Sequence, residues 1–265
     1  MATDLDLLPG DSFDSVSEEY DRARPSYPER LVDDLVALAD IREGSKVLEI
    51  GPGTGQLTVR LAEHGAWLVS VERGPNLADV ARRKLSRFED AEVVTADFDR
   101  WEAPPASFDV VVAATSFHWL DPSTRMARCA EILRPGGSLA IVQTRWGVAQ
   151  GDDPFFAASQ TCYSHWDPNH DSSFRQTRPE DVPHPCLGLT APEFGNIVHR
   201  RYLCTREHSA ASYCDLLGTF SDVLALESAR RGGFLDCISN LIDSRFGGKI
   251  VRHDMYDLCI ARRAG

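Results

Sequence analysis

The first 140 residues alternate short apolar runs with longer segments whose apolar positions recur at helical spacing. The apolar runs predict strands at 46–50, 67–72, 92–95, 109–114 and 138–143. The helical segments precede and separate these strands, at 28–40, 55–64, 75–87 and 122–133. Strands that alternate with helices in this way predict βαβ units and therefore a parallel sheet.

The pattern changes after residue 143. Residues 144–197 are rich in proline, aspartate, histidine and aromatic residues, and a helix is predicted there only at 154–166. We interpret this segment as a cap inserted after the fifth strand. Strand patterns return at 198–205 and 255–261, separated by helical patterns at 209–218 and 227–244 and by a Gly247-Gly248 turn. These late strands would add an antiparallel edge to the sheet.

The order of elements predicts an α/β, Rossmann-like fold. We expect a seven-stranded, mostly parallel sheet with helices on both faces, an antiparallel last strand and the inserted cap. The chain is predicted to form a single domain over 1–265. Within it we distinguish a core at 1–143, the cap at 144–197, and C-terminal strands and helices at 198–265 that complete the sheet.

A glycine-rich turn, VLEIGPGTGQLT at 47–58, follows the first strand, and Glu72 lies at the end of the second strand about 20 residues further on. This layout predicts a pocket for a ribose-bearing cofactor at the C-terminal edge of the sheet. The glycines are spaced G-x-G-x-G, and Gln56 occupies the position of the third glycine in the dinucleotide fingerprint. The turn therefore suits close approach of a ligand but fits a pyrophosphate poorly.

The residues of this turn carry specific expectations. A side chain at Gly51 or Gly53 would block a ligand that lies against the backbone. Thr54 is predicted to cap a helix that begins at Gly55, and the free N–H groups of that helix would suit a carboxylate.

The E-x-G-x-G-x-G string with a later acid resembles motif I and the second-strand acid of the class I S-adenosylmethionine-dependent methyltransferases. Three further strings resemble the small-molecule members of the trans-aconitate and ubiquinone-biosynthesis type: FDSVSEEYDRARPSYP at 13–28, SFHWLD at 116–121 and RPGGSLAIV at 134–142. The resemblance covers 1–143 well and the last 70 residues loosely, and the cap matches no motif. It implies that 1–143 is a cofactor-binding core with an N-terminal lid, and that the cofactor is S-adenosyl-L-methionine.

The resemblance also implies roles for single residues. Glu72 would hold both ribose hydroxyls, Asp97 the adenine amino group, and the backbone N–H of Phe98 a ring nitrogen; the alternative is a loop acid followed by a core aromatic. Arg73 would close over the adenine or simply face water. The predicted cofactor-binding residues are Tyr20, Arg24, Gly51, Gly53, Glu72, Arg73, Asp97, Phe98 and Thr115.

His118 is the candidate catalytic residue, as a general base near the transferred methyl group. The alternative is a histidine that packs beside the cofactor or binds substrate without taking a proton. The predicted substrate-binding residues are the aromatics of the N-terminal lid, the fourth-strand exit and the cap: Tyr27, Trp119, Trp146 and Tyr163.

The cap contains residues that could either bind a metal or form a polar loop. His165 and His170, with Asp167 and Asp171, are suitable ligand types, but Pro168 interrupts the helical geometry that would bring them together. We therefore expect no metal.

Charge and composition narrow the partners. The 265-residue chain carries 40 acidic and 28 basic residues, a net charge of −12, which argues against nucleic acid and anionic membranes and favours a small neutral or cationic organic substrate. No apolar run approaches the ~18 residues of a membrane span, and the N-terminus lacks the features of a signal peptide. Seven cysteines without a C-x-x-C pair predict free thiols in a reducing compartment, hence a cytoplasmic protein.

These observations predict an enzyme that transfers a methyl group from S-adenosyl-L-methionine to an oxygen, nitrogen or carbon atom of a small organic molecule, as in specialised metabolism. One alternative is the same cofactor-binding fold used for cyclisation or isomerisation, or as a binding module. A second alternative, an NAD-linked oxidoreductase, is disfavoured by Gln56 and by the lack of an evident Tyr-x-x-x-Lys pair. The sequence leaves the oligomeric state open.

Overall fold

The computed structural model describes residues 11–151, 153–183, 189 and 191–264. Within these residues, seven strands form one sheet. The strands are β1 (Lys46–Ile50), β2 (Trp67–Glu72), β3 (Ala91–Thr95), β4 (Phe108–Ala114), β5 (Leu133–Arg145), β6 (Phe194–Ser209) and β7 (Lys249–Arg263). Their order across the sheet is β3-β2-β1-β4-β5-β7-β6.

The first five strands are parallel, as predicted. β1 lies between β2 and β4, with Ile50 in register with Val71 and Ala113. Strand order reverses at this point, because β2 and β3 extend the sheet in one direction and β4 and β5 in the other. The C-terminal ends of strands at such a reversal are where open α/β sheets bind ligands.

The antiparallel end of the sheet is also confirmed. The N–H of Ala264 donates to the carbonyl of Glu193, whereas further along β6 the hydroxyl of Thr205 hydrogen-bonds His253. Residue numbers rise along β6 as they fall along β7, so the two strands are antiparallel. Both strands are longer than the apolar runs that predicted them.

The helices are α1 (Asp11–Asp14), α2 (Ser17–Ala23), α3 (Glu29–Ala39), α4 (Thr58–Glu63), α5 (Pro75–Leu85), α6 (Arg125–Ile132), α7 (Pro154–Trp166), α8 (Ala210–Leu217), α9 (Ser221–Leu224) and α10 (Ser228–Arg245). The predicted 154–166 helix has the bounds of α7. α1, α2 and α9 had no counterpart in the sequence pattern. No helix in the described part of the chain has the length and apolarity needed to cross a membrane.

The chain divides into two compact units. The larger unit comprises Pro25–Thr144, His184–Tyr202 and Tyr256–Gly265, and the smaller unit comprises Met1–Arg24, Arg145–Pro183 and Leu203–Met255. In this grouping, the segment 145–183 clusters with residues before Pro25 and with 203–255. Each unit has its own apolar core.

The prediction of free thiols is wrong for three of the cysteines. Cys162 on α7 and Cys237 on α10 form a disulfide, with 5.8 Å between their Cα atoms, and Cys259 is also disulfide-bonded. Cys129, Cys204 and Cys214 are free. Sequence spacing could not reveal the first pair, because 75 residues separate its members. The cytoplasmic location therefore loses one of its supporting arguments.

Candidate functional site

The glycine-rich turn after β1 has a backbone conformation that disfavours residues with side chains. Gly51, Gly53 and Gly55 have φ angles of 64°, 58° and 86°, in the left-handed region that glycine adopts without strain. A Cβ added to Gly51 would lie 2.7 Å from the Cβ of Ser116, at the end of β4. Gly51 is thus required for the approach of β1 to the fourth-strand exit, a reason that is additional to the ligand clearance predicted from the sequence.

The helix after the turn begins later than predicted. α4 starts at Thr58 rather than Gly55, and its N-cap residue, Leu57, makes no side-chain cap hydrogen bond. The hydroxyl of buried Thr54 instead accepts a hydrogen bond from Nε2 of Gln56, at 2.6 Å. The prediction that Thr54 caps the helix is therefore wrong: residues 53–57 form turns before the helix begins.

Glu72 stands at the C-terminal end of β2 with its carboxylate fixed by the backbone. The side chain is only 7% exposed, and it accepts the N–H of Gly53 at one oxygen and the N–H of Gly74 at the other, each at 2.9 Å. A carboxylate has about four lone-pair sites, more than these two bonds use. Such a group can hold two neighbouring hydroxyls in a defined orientation.

The residues predicted to contact an adenine lie at the ends of β2 and β3. Arg73 is exposed, and Oδ1 of Asp97 accepts the backbone N–H of Asp99 at 3.0 Å. Phe98 is 4% exposed and belongs to the core of the larger unit, with the guanidinium of Arg128 5.4 Å from its ring centre. The Phe98 ring therefore has the core role that was the alternative, and the predicted contact of its backbone N–H stays a prediction.

The exit of β4 brings together two residues that the sequence placed in different roles. Thr115 has a φ of 59°, which is uncommon for a residue with a branched side chain. Its Oγ1 hydrogen-bonds the hydroxyl of Tyr27 at 3.1 Å and Oγ1 of Thr144, at the end of β5, at 2.8 Å. The Ser116 hydroxyl donates to the carbonyl of Ile50. This polar chain links the ends of three central strands of the larger unit.

His118 and Trp119 follow on a single 3₁₀ turn, Phe117–Trp119. Both side chains are exposed, Trp119 by 39%, and their ring centres are 4.7 Å apart. Phe117 is buried and anchors the turn, with the guanidinium of Arg125 4.7 Å from its ring centre. The turn thus presents an imidazole and an indole on the surface of the larger unit, at the edge where the parallel strands end.

The remaining predicted residues belong to the smaller unit. Arg24 donates from Nε to Oγ1 of Thr219 and from Nη2 to the Thr219 carbonyl. Its guanidinium lies 4.8 Å from the ring centre of Tyr20 and 5.3 Å from that of Trp146. Tyr163 packs against Phe234, and burial raises the pKa of its hydroxyl well above the ordinary value. The structure therefore gathers Tyr20, Arg24 and Trp146, and it places Tyr163 in the same unit.

The histidines of α7 and the following loop do not form a metal-binding group. No cluster of three potential metal ligands occurs in the part of the chain that the structure describes. The His165 ring lies against Trp166 and the His170 ring stacks on Tyr163. Asp171 accepts hydrogen bonds from Ser173, which lower the pKa of its carboxyl group.

Three residues at the site were missed from the sequence. Gly74 and Thr144 act through a backbone N–H and a hydroxyl that no motif marks. Ser116 lies in the SFHWLD string, and its opposition to Gly51 depends on the parallel register of β1 and β4. Register of that kind is a tertiary property, so only a correct sheet order could have indicated the pair.

The fold and the glycine-turn site define a Rossmann-like α/β protein. A family model described as a methyltransferase domain matches residues 48–141. An uncharacterised methyltransferase of Mycobacterium tuberculosis (strain H37Rv) is 38% identical over 135 residues, which cover 49% of this chain and 51% of that protein. The chain spans about half the length of the curated relatives that it matches first.

Solved structures agree on the fold. A candidate type II methyltransferase from Anaeromyxobacter dehalogenans has a TM-score of 0.63 at 23% identity, covering 91% of this chain and 97% of that chain. Phosphoethanolamine N-methyltransferase 2 of Haemonchus contortus, in complex with phosphomonomethylethanolamine and S-adenosylhomocysteine, has a TM-score of 0.55 at 14% identity, covering 95% and 58%. Residues 48–141 therefore match a methyltransferase domain, whose cofactor is S-adenosyl-L-methionine.

The residues present fit that cofactor. The carboxylate of Glu72 is oriented by two backbone N–H groups at the end of β2, a position that suits a ribose diol. The glycine turn leaves no Cβ on Gly51, Gly53 or Gly55, so a ligand can approach the backbone there. Both features lie beside the reversal of strand order, where the fold binds ligands.

Proposed function

We propose that this protein transfers a methyl group from S-adenosyl-L-methionine to a small organic molecule. The observation that carries the proposal is the Glu72 carboxylate, held between the N–H groups of Gly53 and Gly74 beside the glycine turn. S-adenosyl-L-methionine, when bound, supplies an electrophilic methyl group on a sulfonium.

The cofactor-binding roles divide between backbone and side chains. Glu72 binds the ribose hydroxyls, and the turn at Gly51 and Gly53 provides the surface on which the ligand lies. Asp97 and the N–H of Phe98 bind the adenine edge, and Arg73 covers it. Tyr20 and Arg24 keep their assignment to the cofactor as predictions from the resemblance.

The acceptor side of the reaction uses the exposed 3₁₀ turn of the larger unit. His118 accepts a proton from the attacking hydroxyl, amine or acidic carbon, because a neutral imidazole is a suitable base near neutral pH. Trp119 and Tyr27 orient the acceptor, and the indole face favours a cationic neighbour. Most of the rate enhancement would come from positioning, since binding both reactants makes the attack effectively unimolecular.

A small acceptor is favoured over nucleic acid by charge. The net charge of −12 repels a polyanion, and the Haemonchus contortus enzyme was solved with phosphomonomethylethanolamine, a small molecule. The biosynthetic role and the cytoplasmic location expected from the sequence stay predictions.

Calorimetry with S-adenosylhomocysteine tests the cofactor site. We expect Glu72→Gln to weaken binding about 100-fold, because two charge-assisted hydrogen bonds of roughly 1.5 kcal/mol each are lost. Glu92→Gln, at an exposed glutamate of β3, is the matched control and should bind normally. A folded Glu72→Gln variant with unchanged affinity would contradict the assignment.

Methyl-labelled cofactor with a panel of small molecules tests the reaction. Label in a product supports methyl transfer, whereas an unlabelled product supports the cyclisation or isomerisation alternative. With an acceptor in hand, His118→Asn should lower kcat and remove the acidic limb of the pH–rate profile. An unchanged profile would show that His118 binds without transferring a proton.

A further inference from the structure

The smaller unit contains a buried arginine surrounded by aromatic rings. Arg252, on β7, is 7% exposed. Its guanidinium lies 5.1 Å from the ring centre of Phe220, 5.4 Å from that of Trp146 and 6.0 Å from that of Tyr213. We call Arg252 and these three rings the Arg252 cluster. A guanidinium over aromatic rings is held in place by cation–π attraction, which does not use its N–H donors.

The hydrogen-bonding capacity of Arg252 is not satisfied. Its Nε and Nη1 atoms are both buried, and neither has a hydrogen-bond partner in the described residues. Oδ1 of Asp254 lies 2.9 Å from Nε as an ion pair, but not in hydrogen-bonding geometry. A buried charged donor without an acceptor costs several kcal/mol. Arg252 Nη1 is therefore set to receive an acceptor from a bound molecule.

The carboxylate next to Arg252 is shared with a second arginine. Asp254 is fully buried and serves both Arg252 and Arg206, whose Nη1 lies 3.2 Å from Oδ2. It also accepts the N–H of Gly147 at 3.0 Å. A further guanidinium, that of Arg24, lies 4.6 Å from the Phe220 ring centre, so the same ring contacts two cations. Within the described residues, one buried carboxylate thus faces two arginines, with a third close by.

His208 provides a second buried polar group beside the Arg252 cluster. It lies on β6 against Tyr213, is half-buried, and its Nε2 has no partner in the described part of the chain. Its pKa is lowered by burial and next by the charge of Arg252, against an opposing effect of Asp254. The other acids nearby are Asp153, Asp167 and Asp222, and the charge of Arg24 acts on Asp222.

We propose that the Arg252 cluster binds the anionic group of a small organic acid. An oxygen of the ligand accepts a charge-assisted hydrogen bond from Nη1, and the rings of Trp146, Tyr213 and Phe220 provide apolar walls. This inference differs from the preference for a neutral or cationic ligand drawn from the net charge, because it is based on the unused donors of one buried arginine and not on an average over the chain. It also gives Trp146, predicted to bind substrate, a ligand class. Carboxylates and phosphate monoesters share this chemistry.

Calorimetry on the full chain tests the site with matched probes. Benzoate is compared with benzamide, its neutral isostere, and with phenyl phosphate. We expect benzoate to bind at least tenfold more tightly than benzamide, with phenyl phosphate tighter still if the natural ligand is a phosphate monoester and weaker if it is a carboxylate. Equal affinities for benzoate and benzamide would overturn the proposal, and that comparison needs no variant.

Substitution then assigns the binding to Arg252. Arg252→Gln should weaken benzoate binding at least tenfold and leave benzamide unchanged, and Arg230→Gln, at an exposed position of α10, should change neither. Because Arg252 also faces buried Asp254, the variant is first shown to unfold cooperatively on heating. A folded Arg252→Gln chain with unaltered benzoate affinity would place the anion elsewhere. The outcome does not depend on methyl transfer, since no cofactor is added.

Discussion

The two units build their polar sites in different ways. In the larger unit, α3, α4, α5 and α6 begin without a side-chain cap, and the key carboxylate of Glu72 is held by backbone N–H groups. In the smaller unit, α7, α8 and α10 are each capped by a side chain, from Asp153, Ser209 and Glu227. The Arg252 cluster is likewise made of side chains that are distant in sequence. The Glu72 carboxylate therefore depends on backbone conformation near one motif, and the Arg252 cluster on tertiary side-chain contacts. The difference in caps is not uniform, because α2 and α9 of the smaller unit also begin without a side-chain cap.

The largest expected loss of stability comes from a change in the glycine turn of the larger unit. Gly51→Ala places a Cβ at a φ of 64° and 2.7 Å from Ser116, so we expect a loss of up to about 5 kcal/mol in the free energy of unfolding. Binding of S-adenosylhomocysteine should disappear in calorimetry.

Two variants separate the causes. Gly44→Ala has the same backbone strain, with a φ of 75°, but nothing lies within 4 Å of its new Cβ, so it should cost only about 1–2 kcal/mol. Adding Ser116→Gly to Gly51→Ala should recover the part due to the contact. If Gly44→Ala and Gly51→Ala destabilise equally, the opposition of Ser116 is unimportant.

The next effect concerns the smaller unit. Changing Cys162 and Cys237 to serine should cost about 4 kcal/mol, the chain-entropy value for a cross-link that spans 75 residues. Hydrogen exchange should accelerate in α7 and α10 and stay unchanged in β1, because both cysteines belong to the core of the smaller unit. Cys204→Ser, at a free thiol of the same unit, is the control. Equal acceleration in β1 would show that the units do not unfold separately.

A buried acid in the larger unit makes the free energy of unfolding depend on pH, by somewhat less than the loss of the disulfide. Glu49, on β1, is 1% exposed, and burial raises the pKa of its carboxyl group from 4.5 to about 7. Between these values the folded chain binds a proton that the unfolded chain does not. The corresponding stabilisation is complete below pH 4.5 and is lost as the pH rises through about 7, a change on the order of 3 kcal/mol.

Glu49→Gln mimics the protonated form and should flatten this dependence. Thermal unfolding at several pH values should show the variant more stable than the parent at pH 8 and similar to it at pH 4.5. Glu92→Gln, at an exposed position on β3, should keep the parent's slope. A Glu49→Gln chain with the parent's slope would mean that another group titrates.

The sequence predicted elements and site residues correctly where a local residue pattern reflects a constraint on the backbone. β1, β2 and α7 have the predicted bounds, because each is a continuous apolar or periodic run with clear ends. The glycine turn and Glu72 were identified because a tight turn and a strand end fix residue types at fixed spacing. Thr54 failed as a cap because the turns after Gly55 postpone the helix to Thr58.

The unpredicted features depend on contacts between distant positions. β6 and β7 continue beyond the predicted runs into polar segments, REHS at the end of β6 and RR at the end of β7. Pairing with a neighbouring strand stabilises these segments, but their local sequence does not predict a strand. Trp146 and Arg252 come together only when the strands pair, and Arg252 alone in KIVRHDM looks like an ordinary surface arginine. The substrate preference inferred from net charge stays a prediction, and an average over the chain carries no information about a single buried arginine.

The smallest effect tests the capping difference directly. Asp153 accepts the N–H of Phe156 at the start of α7, at 2.8 Å, so Asp153→Ala should cost about 1 kcal/mol in urea denaturation. Thr124 occupies the N-cap position of α6 in the larger unit but makes no cap hydrogen bond, so Thr124→Ala should change the stability by less than about 0.5 kcal/mol. Equal costs would remove the distinction between the units, because helix starts in both would then depend on side chains. An unequal pair would show that a side-chain cap stabilises the start of α7 and that α6 begins without such a contribution.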